Sequence, residues 1–226
     1  MTRPSQKPPR EIAKKLDQAS IKWAGKIFWD KEFQKLAKFE SLDQLEKDRI
    51  FNELIIAPLV VLRIMLEAPD LHGTKEFRNF LANVGQEIFS THVAYLKGFG
   101  IEKKFLTDWE KLMEMRYEEY SQDKVSARDA MMEDKSKEKT LEVSDMEGIN
   151  IFLPPFTVAV GCHHHICRSK TEGRDDLFKY LIKHLTRFYT QYRMQAEGGN
   201  IPLFLKARMS TRHFVNDIKD KLGIER

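Results

Sequence analysis

The longest apolar run of the chain, Leu54 to Leu66, constrains the fold more than any other feature. It continues a stretch beginning near Ser41 in which apolar residues recur on one face with helical spacing, so the two stretches form one predicted helix. A helix that is apolar nearly all round must be surrounded by other helices. The run is about 13 residues long, whereas a membrane span needs roughly 20. We therefore predict the central helix of a bundle and no membrane span.

Helical periodicity continues on both sides of this run, which predicts an all-α protein. Ser41 is a predicted N-cap, because Gln44 follows it at the position of a capping box. Further helices are predicted from Arg10 to Glu40, after Thr74, from Thr107 to Lys135, after Gly173 and from Pro202. We interpret the chain as a disordered, basic, proline-rich tail at 1–9 and a single bundle of about six helices over 10–226.

Two consecutive segments do not fit this pattern. Residues 136–153 lack helical periodicity and are predicted as one long loop, which is either a lid, a binding loop or a loose insertion. Residues 152–166 are ambiguous. Pro154 and Pro155 are typical of a helix start, whereas Phe156 to Val160 also resembles a strand. Because the sequence offers no obvious partner strand, we favour a helix.

The cysteine content and the charge distribution bear on location and partners. The chain has two cysteines and no apolar stretch near its start that would form a signal peptide, so we expect a cytoplasmic protein. The net charge is +4, with basic ends and an acidic middle. Either the terminal helices pack beside the acidic one, or the ends form a nucleic-acid surface.

The most unusual local sequence is the His/Cys segment, whose candidate metal ligands are Cys162, His163, His164, His165 and Cys167. Imidazole and thiolate are ligands for zinc and other transition metals. On a helix, His163 and Cys167 share one face, and Cys162 and His165 share another. The segment can therefore supply two or three ligands to one ion, and the others must come from elsewhere. The alternatives are a polar turn with buried cysteines and a thiolate activated by a neighbouring imidazole.

A more dispersed set of inward side chains is a second candidate for metal binding. Helical bundles that bind two iron or manganese ions present carboxylates and histidines from several helices. The candidates here are Glu53, Glu87, His92 and Glu119, with His164. The Glu-x-x-His pair typical of such proteins does not occur in the sequence. A single histidine on an apolar face, such as His92, is more often a core histidine with a hydrogen-bond partner than a metal ligand.

Two arginines lie on apolar faces of predicted helices. Arg63 is inside the apolar run, and Arg116 is on the inner stripe of the helix predicted from Thr107. A buried guanidinium needs a carboxylate or a bound anion. Both are therefore candidate cofactor-binding residues, and the alternative is an ion pair with one of the inward glutamates.

These observations leave three hypotheses for function. The first is a protein that binds zinc, iron or manganese, with an oxidoreductase as one form of it. The second is a helical interaction or regulatory module without enzymatic activity. The third is a nucleic-acid-binding protein that uses basic residues at 1–15 and 206–221. A homo-oligomer is compatible with each of them.

Overall fold

The computed structural model describes residues 8–136, 143–168 and 175–197, and within these ranges the chain forms helices and no strands. The helices are α1 (Pro9–Phe28), α2 (Lys31–Leu36), a 3-10 helix (Phe39–Ser41), α3 (Gln44–Leu66), α4 (Lys75–Gly98), α5 (Lys103–Gln122), α6 (Lys124–Ser136), α7 (Val143–Cys167) and α8 (Asp176–Ala196). The predicted all-α bundle is confirmed. The predicted helices 10–40 and 107–135 each divide into two, near Asp30 and at Asp123.

Some predictions concern residues outside the described ranges. These are the tail up to residue 7, the helix predicted from Pro202, and most of the basic residues on which the nucleic-acid hypothesis depends. The domain limits 1–9 and 10–226 therefore stay a prediction. Pro9, which the sequence places in the tail, is the first residue of α1.

Helix α3 is the centre of the bundle. It packs against α1, α4, α5, α7 and α8. Every residue from Leu54 to Leu66 is buried except Arg63, which is partly exposed. Pro58 lies inside the helix and does not end it. The structure thus confirms the predicted central helix, and no helix in the described parts of the chain is long and apolar enough to cross a bilayer.

Helix α7 corrects the loop predicted over 136–153. Residues 143–153 are helical and belong to α7, and residues 137–142 are outside the described ranges. The helix continues through Pro154 and Pro155. It packs against α3, α5, α6 and α8, and a helix with neighbours on several sides carries no clear one-sided stripe for a periodicity search to find. The preferred helical interpretation of residues 152–166 is confirmed.

Aspartates cap two of the helices that position the candidate site. The carboxylate of Asp43 accepts a hydrogen bond from the backbone N–H of Glu46 at 2.8 Å, so Asp43, and not Ser41, is the N-cap of α3. In the same way the carboxylate of Asp175 accepts from the N–H of Phe178 at 2.8 Å and begins α8. Such caps satisfy backbone donors that the first turn of a helix leaves free.

Gly161 permits close contact between α7 and α5. A Cβ atom built on Gly161 would lie 2.0 Å from Cε1 of Tyr120. Tyr120 is fully buried, so its ring cannot move out towards solvent. The absence of a side chain at position 161 is therefore required by the packing of the Tyr120 ring.

We expect Gly161→Ala to lower the free energy of unfolding by about 1–3 kcal/mol, because overpacking outweighs the better helix propensity of alanine. Urea denaturation measures this change. Gly25→Ala in α1 is the matched control, since a Cβ atom at this position would have no neighbouring atom within 4 Å, and it should gain about 0.5–1 kcal/mol. Equal stability of the two variants would contradict the packing argument.

Candidate metal centre

Three side chains from two helices converge where α7 ends and α8 begins. Nε2 of His163 lies 2.8 Å and 2.9 Å from the two carboxylate oxygens of Asp175. Sγ of Cys167 lies 3.6 Å from the same nitrogen. One donor atom from each residue lies within 4.8 Å of the others. We call these residues the His163–Cys167–Asp175 group.

The positions of the three residues follow from local helix geometry. His163 and Cys167 are four residues apart on α7 and therefore lie on one face. Asp175 is the N-cap of α8, and its carboxylate contacts His163 while it also accepts the Phe178 N–H. The cap of α8 is thus the residue that brings a carboxylate to the end of α7.

Arg49 of α3 binds the end of α7. Its guanidinium donates hydrogen bonds to the backbone carbonyls of His165 and Ile166, the latter at 3.0 Å. It also forms an ion pair with Glu46 at 3.0 Å. The last carbonyls of a helix have no partner within the helix. Arg49 therefore satisfies two of them and holds the last turn of α7, which contains Cys167, against the central helix α3.

The group is buried on one side and open on the other. The side chain of His163 is 1% exposed, whereas that of Asp175 is 51% exposed. Cys167 is a free cysteine of intermediate exposure. Burial, and then the negative charge of Asp175, raise the pKa of Cys167 above its ordinary value of 9.0. Cys167 is therefore a protonated thiol at neutral pH unless a cation displaces its proton.

This geometry differs from that of a Cys–His–Asp catalytic triad. In a triad the nucleophile contacts one ring nitrogen of the histidine and the carboxylate contacts the other. Here the thiol and the carboxylate both approach Nε2 of His163. An activated cysteine also has a lowered pKa, and that of Cys167 is raised. The donor atoms of His163, Cys167 and Asp175 instead surround a common point, as ligand atoms do in a metal site.

The other members of the His/Cys segment lie outside this group. Cys162 is fully buried, and burial followed by the charge of Glu53 raises its pKa well above 9.0. The rings of His164 and His165 contact each other edge to face, with centroids 5.5 Å apart. His163 and Cys167 come together on one face of α7, and Cys162 and His165 are not part of their group.

A chain of charged side chains connects α3, α5 and α7. Arg116 of α5 donates to the two oxygens of Glu53 at 2.7 Å and 3.2 Å, and to Glu119 at 3.2 Å. Nε2 of His165 lies 2.8 Å from Glu119. We call these four residues the Glu53–His165 chain. It contains three of the residues that the sequence suggested as metal ligands.

The Glu53–His165 chain changes the interpretation of Arg116 and its partners. Burial disfavours the charge of Arg116, but the hydrogen bonds and charge of Glu53 outweigh this effect and raise its pKa. Arg116 therefore forms ion pairs with Glu53 and Glu119, where the sequence suggested a cofactor-binding residue. Those two carboxylates are directed at a guanidinium and do not join the His163–Cys167–Asp175 group.

Arg63 is also paired with carboxylates. Its Nη1 lies 2.8 Å from both oxygens of Glu114, and its Nε lies 3.2 Å from Glu67. The guanidinium carbon lies 4.0 Å from the ring centroid of Tyr117 and 4.7 Å from that of Phe89. Arg63 therefore forms the ion pair that the sequence offered as the alternative to a ligand, but with Glu67 and Glu114 in place of the suggested Glu53, Glu87 or Glu119.

The two remaining candidates of the dispersed set have other partners. The carboxylate of Glu87 accepts a hydrogen bond from Ser90 at 3.1 Å. Nδ1 of His92 lies 2.7 Å from Asp17, and both side chains are 1% exposed. His92 is thus a core histidine with a partner. The structure does not assemble the dispersed set, and among the described residues the His163–Cys167–Asp175 group is the one cluster of three or more such donors.

Asp175 and Arg49 are the two residues of the site that the sequence analysis missed. A helix was predicted after Gly173, so an acidic residue at its start, a residue type that favours the N-cap, was a usable signal for Asp175. No local signal connects Arg49 to a carbonyl more than a hundred residues later in the chain. Comparison of the chain with protein-family models, with curated proteins and with solved structures finds no match.

The Glu53–His165 chain generates a stability prediction. Arg116→Met should lower the free energy of unfolding by about 3 kcal/mol, because it leaves the charge of Glu53, which is 4% exposed, buried without its main partner. The double variant Glu53→Met/Arg116→Met should recover most of this loss. Denaturant unfolding of the single and double variants measures both values. A single variant as stable as the parent would show that the ion pair contributes little.

Proposed function

We propose that this protein binds a zinc ion through His163, Cys167 and Asp175. The observation that carries the proposal is the convergence of three unlike donor atoms on one point. In a tetrahedral zinc site, a nitrogen 2.0–2.1 Å and a sulfur 2.3 Å from the ion are about 3.5 Å apart. The separation of Nε2 of His163 and Sγ of Cys167 is 3.6 Å.

The contact between His163 and Asp175 supports the same proposal. At 2.8 Å it is a hydrogen bond, in which one proton lies between nitrogen and oxygen. A zinc ion would replace that proton and separate the two atoms to about 3.4 Å. Asp175 is half exposed, so its side chain has room for this small movement.

The donor set favours zinc over iron or manganese. Thiolate and imidazole are ligands that zinc prefers, whereas sites for the other two ions are richer in carboxylates. The inward carboxylates Glu53 and Glu119 are engaged by Arg116. We therefore infer hydrolytic chemistry in preference to an oxidoreductase.

The open side of the His163–Cys167–Asp175 group leaves room for a water molecule or a substrate at a bound zinc ion. Three protein ligands leave a fourth tetrahedral position, and zinc in such sites polarises a water molecule there. The 51% exposure of Asp175 supports a fourth position that is open to solvent. Cys162 and Cys167 are both free thiols, and a thiolate ligand persists in a reducing compartment. We infer a cytoplasmic protein.

Tag-free protein should contain zinc close to one equivalent by elemental analysis. Cobalt, used as a probe, should give the intense visible bands of a tetrahedral thiolate complex. The affinity should rise with pH, because zinc must displace the proton from a thiol whose pKa is raised. Competition titration of the zinc-free protein between neutral and mildly alkaline pH measures this dependence.

Variants test the ligand assignment separately. Cys167→Ser and Asp175→Asn should each weaken zinc binding by at least about tenfold, the lower end of the loss seen when even a supporting hydrogen bond at a metal site is removed. Asparagine is a good N-cap, so Asp175→Asn keeps the start of α8 intact. His164→Ala is the matched control and should bind like the parent. Absence of metal from the parent, with no cobalt spectrum, would overturn the proposal.

A further inference from the structure

The corner between α4 and α5 is an exposed apolar surface that the zinc proposal does not use. All residues from 97 to 105 are exposed. Three of them carry large apolar side chains. Phe99 is 69% exposed, Ile101 is 39% exposed and Phe105 is 48% exposed. We call residues 97–105 the α4–α5 corner.

The corner is an exposed turn between two helices. It joins the end of α4 to the start of α5, and Gly100 has the positive φ of 79° that the turn between them requires. The ring of Tyr95, which is 36% exposed, packs edge to face on that of Phe99 with centroids 4.8 Å apart. Apolar side chains on an exposed turn suit insertion into a soft surface, whereas recognition of a peptide commonly uses a groove or a sheet edge.

The charges of the corner are mostly positive. Lys97, Lys103 and Lys104 stand against a single acid, Glu102. Nζ of Lys104 lies 3.2 Å from Glu102 and 4.6 Å from the ring centroid of Phe105. Aromatic and aliphatic tips flanked by lysines match the two layers of an anionic membrane surface, which are the acyl boundary and the headgroup phosphates.

We propose that the α4–α5 corner binds the surface of anionic phospholipid bilayers. Phe99, Ile101 and Phe105 enter the boundary between headgroups and acyl chains, and the three lysines contact the headgroup phosphates. A second copy of the chain is a poorer partner, because two such corners would bring like charges together. The corner belongs to α4 and α5, and the zinc ligands belong to α7 and α8, so the two proposals can fail independently.

Co-sedimentation of the full chain with vesicles tests the proposal. The protein should bind vesicles of phosphatidylcholine and phosphatidylserine and bind pure phosphatidylcholine much more weakly. Added salt should weaken the binding, since it screens the lysines. A Phe99→Trp variant should show a blue-shifted emission with the anionic vesicles, because its indole leaves water.

Two sets of variants separate the apolar and the ionic contributions. Phe99→Ser/Ile101→Ser/Phe105→Ser should reduce the partition coefficient by on the order of a hundredfold or more, given the free energy of burying such side chains. Replacement of Lys97, Lys103 and Lys104 by Gln should reduce it by about fivefold for each lysine at low salt. All six residues are exposed, and circular dichroism checks that each variant is folded.

Trp29→Ser/Leu45→Ser is the matched control, since these apolar side chains are 74% and 75% exposed and lie outside the corner. This variant should bind vesicles like the parent. Failure of the parent to bind anionic vesicles would overturn the proposal, as would full binding by the corner variants. A concentration-dependent dimer in light scattering that the Ser variant abolishes would assign the corner to a second copy and would also overturn it.

Discussion

The burial of the apolar half of α3, from Glu53 to Leu66, is the constraint on which the rest of the structure depends. This half is stable only inside a shell of other helices, because removal of apolar surface from water is the main favourable term in folding. The same burial requires the two charges within this half, Glu53 and Arg63, to have partners within the protein. Glu53 is paired with Arg116, and Arg63 is paired with Glu114. Both partners lie on α5, so these two ion pairs fix the position of α5 relative to α3.

This arrangement extends to α7 through Glu119, which contacts both Arg116 and His165. Residues two apart on an α-helix point in directions about 200° apart. With His165 turned towards α5, His163 must face the opposite side of α7, where α8 begins. The ion pairs that neutralise the central helix therefore also determine which face of the His/Cys segment meets Asp175. The Glu53–His165 chain and the candidate site therefore lie on opposite faces of α7.

The sequence predicted those features that depend on local spacing. The central helix and the shared face of His163 and Cys167 follow from helical periodicity, and both were predicted. The start of α7 was missed, because a helix with neighbours on several sides shows no one-sided stripe. Asp175 and the partners of Arg63 were missed for a different reason, since they depend on how helices are placed in space. Propensity and spacing carry no information on how helices are placed relative to one another. That placement is what brings Asp175 to His163 and Cys167.

Asp175 connects the stability of the fold with the proposed chemistry. Oδ1 of Asp175 accepts the Phe178 N–H at 2.8 Å, and both Oδ1 and Oδ2 lie near Nε2 of His163, at 2.8 Å and 2.9 Å. A cation bound through Oδ2, the oxygen that does not cap α8, would leave the cap intact. It would also keep the carboxylate ionised, and a negative charge at the N-terminus of α8 interacts favourably with the helix dipole. An ion that binds the folded protein and not the unfolded chain stabilises the folded state by mass action. Because the proposed ligands lie on α7 and at the N-cap of α8, that stabilisation would fall on the junction of the two helices, where Arg49 of α3 already binds the end of α7.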